Sequence, residues 1–439
     1  MKDRNLQNPK TPLVEIYDDI LKFYIAQGYL DKVAPVARYL FTGKGWKAQL
    51  INYLTPFVKF VKRYFEYKKK FQPHFTKESL EGKIWLFINS LNNRNSLTFL
   101  QNELEDTVLI GNGVPIESTD KYQLPFHKTV LHAWKFPKIW LYFRKKYGKQ
   151  AVRYGDLIFK TVGMYEVAFA NLSKYRPKCV VLSNDHSEKQ RALLNAAKRL
   201  NIPVIYIQHA SISEFMPPLD FDLSLLESQA SLDKYETLGK INGKVQLIGM
   251  PKFDSYIQFR NYSTTINHIG ICTNPFDNTD DIYQLIYAIQ EQFPMINISL
   301  RPHPGYKNNI KPVEHVNLST KAEHVFDFLR RQDLIIAGSS SIHLEAILLN
   351  ITSLYFQFSS VQENAYDPYG YIKNGLLEDA IDIPNLLNFI KKNIKNRKFV
   401  FQNVKYYNSV VGTENEGKSG FLAGLYIKEL LENHSRQQT

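Results

Sequence analysis

The sequence predicts an α/β protein: two doubly wound parallel sheets facing each other across a cleft, preceded by a helical extension. Three observations carry this. Short β-branched runs alternate with segments of helical period. Such runs are what a sheet covered by helices on both faces requires, because its strands are buried on both sides. The series occurs twice, from Lys178 to Gly249 and again from His268 onward, divided by the polar stretch 252–267. The 439 residues, 44% of them apolar, also suffice for two cores rather than one. The domains read as 1–260, including a basic helical extension, then 261–412, then a C-terminal helix, 413–439, packing back on the first domain.

Taken in order, residues 11–30 read as a helix started by Thr11 and Pro12, with Leu13, Ile16, Ile20 and Phe23 near helical spacing. Lys83–Asn89 and Thr107–Gly111 read as the first buried strands. Cys179–Ser183 is a strand, Asn184–Ser187 its turn, Glu188–Leu200 a helix and Val204–Ile207 the next strand, closing at Gln208-His209. Leu223–Leu226, a helix near 232–238 and Val245–Ile248 follow. The second series has strands at His268–Cys272, Ile298–Arg301, Val316–Leu318, Leu334–Ala337 and Ser353–Phe358. Its helices fall at 281–293 and 384–393, and Asn261–Thr265 is the expected linker.

The formal charge of +13 calls for an anionic partner: nucleic acid, an anionic membrane face or an acidic substrate. Two aromatic segments, 47–70 and 134–149, concentrate the charge, which favours a membrane surface over nucleic acid. The competing role for each is a core-facing helix with a solvated basic side. No apolar run reaches the roughly 18 residues of a spanning helix, and Met1-Lys2-Asp3-Arg4 leads into no signal-peptide core. The expected location is therefore cytoplasmic, peripheral on the inner face of the membrane. Cys179 and Cys272 both fall in buried strands, as inert thiols of a reducing compartment do.

Chemistry is expected beyond the carboxyl ends of the strands, where open parallel sheets bind ligands. Arg301 and His303 end one strand as Arg-Pro-His-Pro. Gly338 and three serines, Ser339, Ser340 and Ser341, end another and lead into a helix that Ser340 or Ser341 would cap. A strand-end Arg and His facing a serine-rich helix start make a site for a diphosphate or phosphodiester. Glu345, one turn on, suits ribose hydroxyls or the helix dipole. In the first series Asp185 and His209, with Glu214 in the following loop, are candidates for a general base, His186 less so. Asp185 also suits a helix cap, and His209 a core hydrogen bond. Gly412 to Ser419 matches the P-loop pattern but carries two glutamates that would repel phosphate, so it reads as a turn before the last helix. Asp220 and Asp222 read as strand-start residues. No cysteine–histidine cluster has zinc spacing, and neither metal nor cofactor is expected.

Together, Ile205–His209, Leu247–Asp254, Arg301–Pro304, Ser339–Ser341 with Glu345, and Tyr369–Gly375 resemble the bacterial GT-B glycosyltransferases of surface-polysaccharide assembly. The similar branch contains polysialyltransferases, capsule and lipopolysaccharide Kdo transferases and teichoic-acid glycerophosphotransferases. The resemblance covers roughly residues 178–375, and Gln208-His209-Ala210 stands where His-Gly is commoner. It implies two Rossmann-like domains and a CMP- or CDP-activated donor whose phosphate and ribose are held by His303, Ser339, Ser340 and Ser341. It also implies transfer of a sugar, such as Kdo or sialic acid, to a cell-surface glycan or glycolipid. The alternatives carried with it are a UDP-N-acetylglucosamine 2-epimerase-type enzyme, a CDP-glycerol or CDP-ribitol phosphotransferase, and a non-catalytic basic module for membrane or nucleic acid.

Overall fold

The computed structural model describes residues 13–26, 54, 57–58, 61–62, 64–65, 75–111, 122–184, 186–212, 216–274, 277–303, 310–320, 322–358, 367 and 369–438. Most of the basic segment 47–70 lies outside them.

Two six-stranded sheets organise the chain. The first contains β1 (Ile84–Ile88), β2 (Thr107–Gly111), β3 (Cys179–Leu182), β4 (Val204–Ile207), β5 (Asp220–Leu226) and β6 (Asn242–Leu247), in the order β2-β1-β3-β4-β5-β6. The second contains β7 (His268–Cys272), β8 (Asn297–Arg301), β9 (Val316–Leu318), β10 (Leu334–Ala337), β11 (Thr352–Tyr355) and β12 (Glu378–Asp379), in the order β12-β11-β10-β7-β8-β9. Every pairing is parallel. Counted from β7, the second sheet has the 3-2-1-4-5-6 order of a dinucleotide-binding sheet, with its reversal between β7 and β10.

Alternation along the strands separates the two faces of each sheet. In the first, Trp85, Phe87, Val180 and Leu182 face the helices Leu13–Ala26, Gly155–Tyr175 and Glu188–Arg199. Ile84, Leu86, Cys179 and Val181 face the opposite way, onto Leu97, Leu100, Leu422, Ala423 and Ile427. The helix Ser419–Gln438 thus completes the first domain's second face. In the second sheet Ile269, Ile271, Ile298 and Leu300 pack on helices Thr279–Gln292 and Ile383–Asn393. Its other face buries Ile335 and Ala337 against Phe326, Phe328 and Ile347. Two of the polar groups enclosed near these cores have partners: Trp85 Nε1 donates to the Leu80 carbonyl at 3.0 Å, and Tyr17 Oη to Glu166 Oε1 at 2.6 Å.

The stretch 252–267 is not the loose connection its composition suggests. Pro251, its φ already set for a helix, starts a 3-10 helix, Pro251–Phe259, and Met250 and Phe253 sit in the second domain's core. The linker after it is clamped by Arg397, whose guanidinium donates to the carbonyls of Asn261 (3.0 Å), Ser263 (2.6 Å) and Asn350 (2.5 Å). The chain returns near Asn408–Val411, where Ser409 N–H donates to the Glu227 carbonyl at 3.0 Å. Gly412 to Lys418 forms turns, with Glu416 paired to Arg260 at 2.5 Å and Gly420 N–H donating to Asp254 at 2.8 Å. Asp222 accepts from Val204 N–H at 2.7 Å and Asp220 pairs with Lys198, so both serve the sheet.

A candidate active site at two facing sheet edges

In the second domain the register sets Arg301, Cys272 and Ala337 side by side at the carboxyl ends of β8, β7 and β10. Neighbouring strands lie about 4.8 Å apart, so the Arg-Pro-His and serine segments begin about two strand spacings from each other. His303 N–H donates to Thr273 Oγ1, which follows β7, at 3.3 Å, and this ties the histidine loop to the central strand. Its imidazole is exposed, and partial desolvation moves its pKa below the ordinary histidine value. The residues next along, 275–276, 304–309 and 359–366, lie outside those described.

Gly338 to Ser341 forms the turn from β10 into the helix Ile342–Leu348. Ser340, not Ser341, supplies the side-chain cap: its Oγ accepts from Ile342 N–H at 3.3 Å, whereas Ser341 holds the cap position without a side-chain bond. Ser339 Oγ pairs with Tyr355 Oη at 3.0 Å. Beneath the turn lies the fully buried His343. Its Nε2 contacts the Gly338 carbonyl at 2.8 Å, which can only accept, so Nε2 carries the proton and Nδ1 accepts from Ser353 at 2.6 Å. Burial holds this imidazole neutral, with a pKa lowered to about 4. The serine turn therefore rests on a fixed histidine tautomer.

Two site residues are engaged differently from the sequence expectation. Arg301 turns toward the β9 edge, away from β10: its guanidinium donates to Ser319 Oγ (2.8 Å) and the Glu323 carbonyl (2.9 Å) and lies over Phe328. It braces the strand end, because a partly buried guanidinium takes the nearest acceptors. Glu345 pairs with Lys252 Nζ at 2.5 Å, an ion pair neither of the roles first considered for it contains.

In the first domain β3 and β4 end side by side, through Ser183-Asn184 and Gln208-His209. Asn184 Oδ1 accepts from His186 and Ser187 N–H, each at 3.0 Å. Ser187 caps the helix Glu188–Arg199, so the cap considered for Asp185 is filled by another residue. Asp185 and Glu214 themselves lie outside the described residues. His209 is half-buried at the end of β4. Gln208 reaches sideways, its Oε1 accepting from Glu227 N–H at 2.9 Å.

Glu227, at the end of β5, is the residue sequence reasoning missed. Its carboxyl is buried, and desolvation raises its pKa to about 7, against the pull of Lys252 and with the push of Glu345. A cavity of about 430 Å³ opens beside it between the two domains, reaching Leu344, two residues beyond the serine turn's helix start. Tyr371 spans the domains here, its Oη 2.7 Å from Ser211 Oγ.

Solved structures share this architecture. UDP-GlcNAc 2-epimerase from Methanocaldococcus jannaschii superposes with a TM-score of 0.53 at 14% identity, over 79% of this chain and 99% of that one. CalG4, the calicheamicin glycosyltransferase, gives 0.51 at 11% identity, over 80% and 98%. The fold is GT-B. The Neisseria meningitidis UDP-GlcNAc 2-epimerase bound to UDP-GlcNAc gives 0.50 at 13%, over 80% and 100%. No protein-family model and no curated protein matches the sequence. What is shared with these GT-B proteins is the pair of facing sheets, at identities that speak for fold alone.

Proposed function

We propose that this chain is a GT-B glycosyltransferase that moves a sugar, of the Kdo or sialic acid kind, from a CMP-linked donor to a cell-surface glycan or glycolipid. The observation that carries the reading is the switch point of the second sheet, where His303 and Ser339–Ser341 stand beyond the ends of β8 and β10, on either side of β7. A nucleotide phosphate there meets an imidazole, hydroxyls and backbone N–H groups, which stabilise a leaving phosphate without a metal. The acceptor and its base belong on the facing edge, with Asp185, His209 or Glu214 taking the hydroxyl proton. The basic, partly apolar outer face of the first domain supports attachment to anionic lipid on the cytoplasmic side. Nucleic acid is not the partner in this reading.

Thermal unfolding with CMP, CDP or UDP, without divalent metal, tests the donor. CMP or CDP raises the melting temperature, as any ligand of the native state must. A shift by UDP alone, or a need for magnesium, overturns the cytidine assignment. The fold likeness to UDP-GlcNAc 2-epimerases supports a second reading, conversion of a nucleotide sugar without an acceptor. Product analysis decides: an epimerase turns over with donor alone, whereas a transferase releases nucleotide in step with acceptor consumed.

A further inference from the structure

The interdomain cavity beside Glu227 has an unusual lining. Tyr369, Tyr371, Tyr406 and Tyr407 form one aromatic wall, neighbouring rings standing 5.1–5.3 Å apart. Three carboxylates also line the cavity, and two of them are already satisfied. Asp367 accepts the N–H groups of Tyr371 (2.7 Å), Ile372 (3.1 Å) and Lys373 (2.9 Å). Asp233 accepts from Gln229 (2.6 Å) and from Tyr406 Oη (2.7 Å). Glu227 differs. It is 4% exposed, its N–H and carbonyl are bonded to Gln208 and Ser409, and its carboxyl forms no hydrogen bond or ion pair among the described residues. The nearby ammonium of Lys252 is held by Glu345.

A buried carboxyl without a donor is costly, and a ligand hydroxyl is the group that removes the cost. Charge narrows the ligand class. The lining holds Glu227, Asp233 and Asp367 against Lys234 and Lys373, so a phosphate or a second carboxylate is disfavoured. An aromatic wall of tilted and edge-to-face rings beside hydroxyl acceptors suits a ligand with one apolar face and a polar rim. We propose that this cavity is a saccharide site, binding a neutral sugar unit with one hydroxyl donating to Glu227 and the ring face against the tyrosine wall. The inference rests on the glycosyltransferase reading and deepens it: the acceptor presents a neutral sugar, and the cavity holds it beside the serine turn.

The test is saturation-transfer NMR on the full chain, using the methyl glycosides of glucose, galactose, mannose and N-acetylglucosamine, with Kdo and CMP as anionic probes. At least one neutral glycoside binds, and CMP does not displace it. At about pH 8, where the Glu227 carboxyl is ionised, Glu227→Gln weakens that binding about tenfold or more, the loss expected for a hydrogen bond to a charged acceptor. Tyr406→Ala, at a partly exposed ring, weakens it as well, and the melting temperature checks that both variants fold. Binding of no neutral glycoside, affinity unchanged in both variants, or displacement by CMP overturns the saccharide site. Failure of the donor reading is a separate result, absence of any nucleotide-induced melting shift with glycoside binding intact.

Discussion

Two buried residues titrate in opposite directions, and the pH profile of stability separates them. Glu227 has an ordinary value of 4.5 and a folded one of about 7. Between these the folded state holds the extra proton, so the stability it contributes is present at low pH and lost as pH rises toward 7. His343 falls from 6.5 to about 4, so its contribution is complete above 6.5 and lost as pH drops through that window. Glu227→Gln therefore gains melting temperature over the native chain as pH is raised from about 5 to about 7.5. The deficit of His343→Gln narrows as pH is lowered from 6.5 toward 4. Parallel curves in either comparison refute the assignment. At the proposed nucleotide site, His303→Ala is expected to weaken CMP binding and lower the nucleotide-induced melting shift, and an unchanged shift removes His303 from the phosphate. Asp185→Asn keeps the shift and loses turnover if Asp185 is the base, and full activity moves that role to His209 or Glu214.

Strands were legible because burial on both faces leaves a local signature, as in the Ile-Trp-Leu-Phe-Ile run of β1. The two-residue, exposed β12 has no such signature, and the 3-10 helix Pro251–Phe259 shows only a proline start. Residue roles followed the same rule. The serine turn was readable from neighbouring letters. Glu227 and the Lys252–Glu345 pair were not, because their environment comes from residues up to 182 positions away, the separation of Glu227 from Ser409. At the return crossing, Gly249 takes φ +78°, and a Cβ there would lie 2.4 Å from Val410 Cγ2. Gly249→Ala is expected to cost about 1–3 kcal/mol, read as a lower melting temperature without change in the CMP-induced shift. The other element-scale test concerns 131–145. Leu131, Trp134, Lys138, Leu141 and Lys145 are exposed at alternating spacings of three and four, Trp134 by 74%, while Ile139 and Phe143 face inward. This basic apolar stripe predicts co-sedimentation with anionic liposomes, release by salt, and loss in Trp134→Ala combined with Lys138→Glu. Equal binding to neutral vesicles, or none, makes it an ordinary outer helix face.

Across the whole molecule, the contacts between the two domains among the described residues include Tyr371 with Ser211, Tyr406 with Asp233, Ser409 with Glu227 and Gly420 with Asp254. Closure on substrates can adjust these without disturbing either core. The chain crosses between domains twice, near Gly249 and near Asn408, and its last long helix belongs to the first domain. That topology has a consequence for biosynthesis. A nascent chain emerging from the ribosome presents β1 to β6 early, yet the face formed by Ile84, Leu86, Cys179 and Val181 stays partly uncovered until Leu422, Ala423 and Ile427 arrive. The first domain to be translated is the last to be closed, and in the interval its bare face is a target for chaperones and for aggregation. A chain stopped at Gly412 should accumulate in the insoluble fraction, although its second domain, already complete by Val411, keeps the strand ends proposed for the nucleotide.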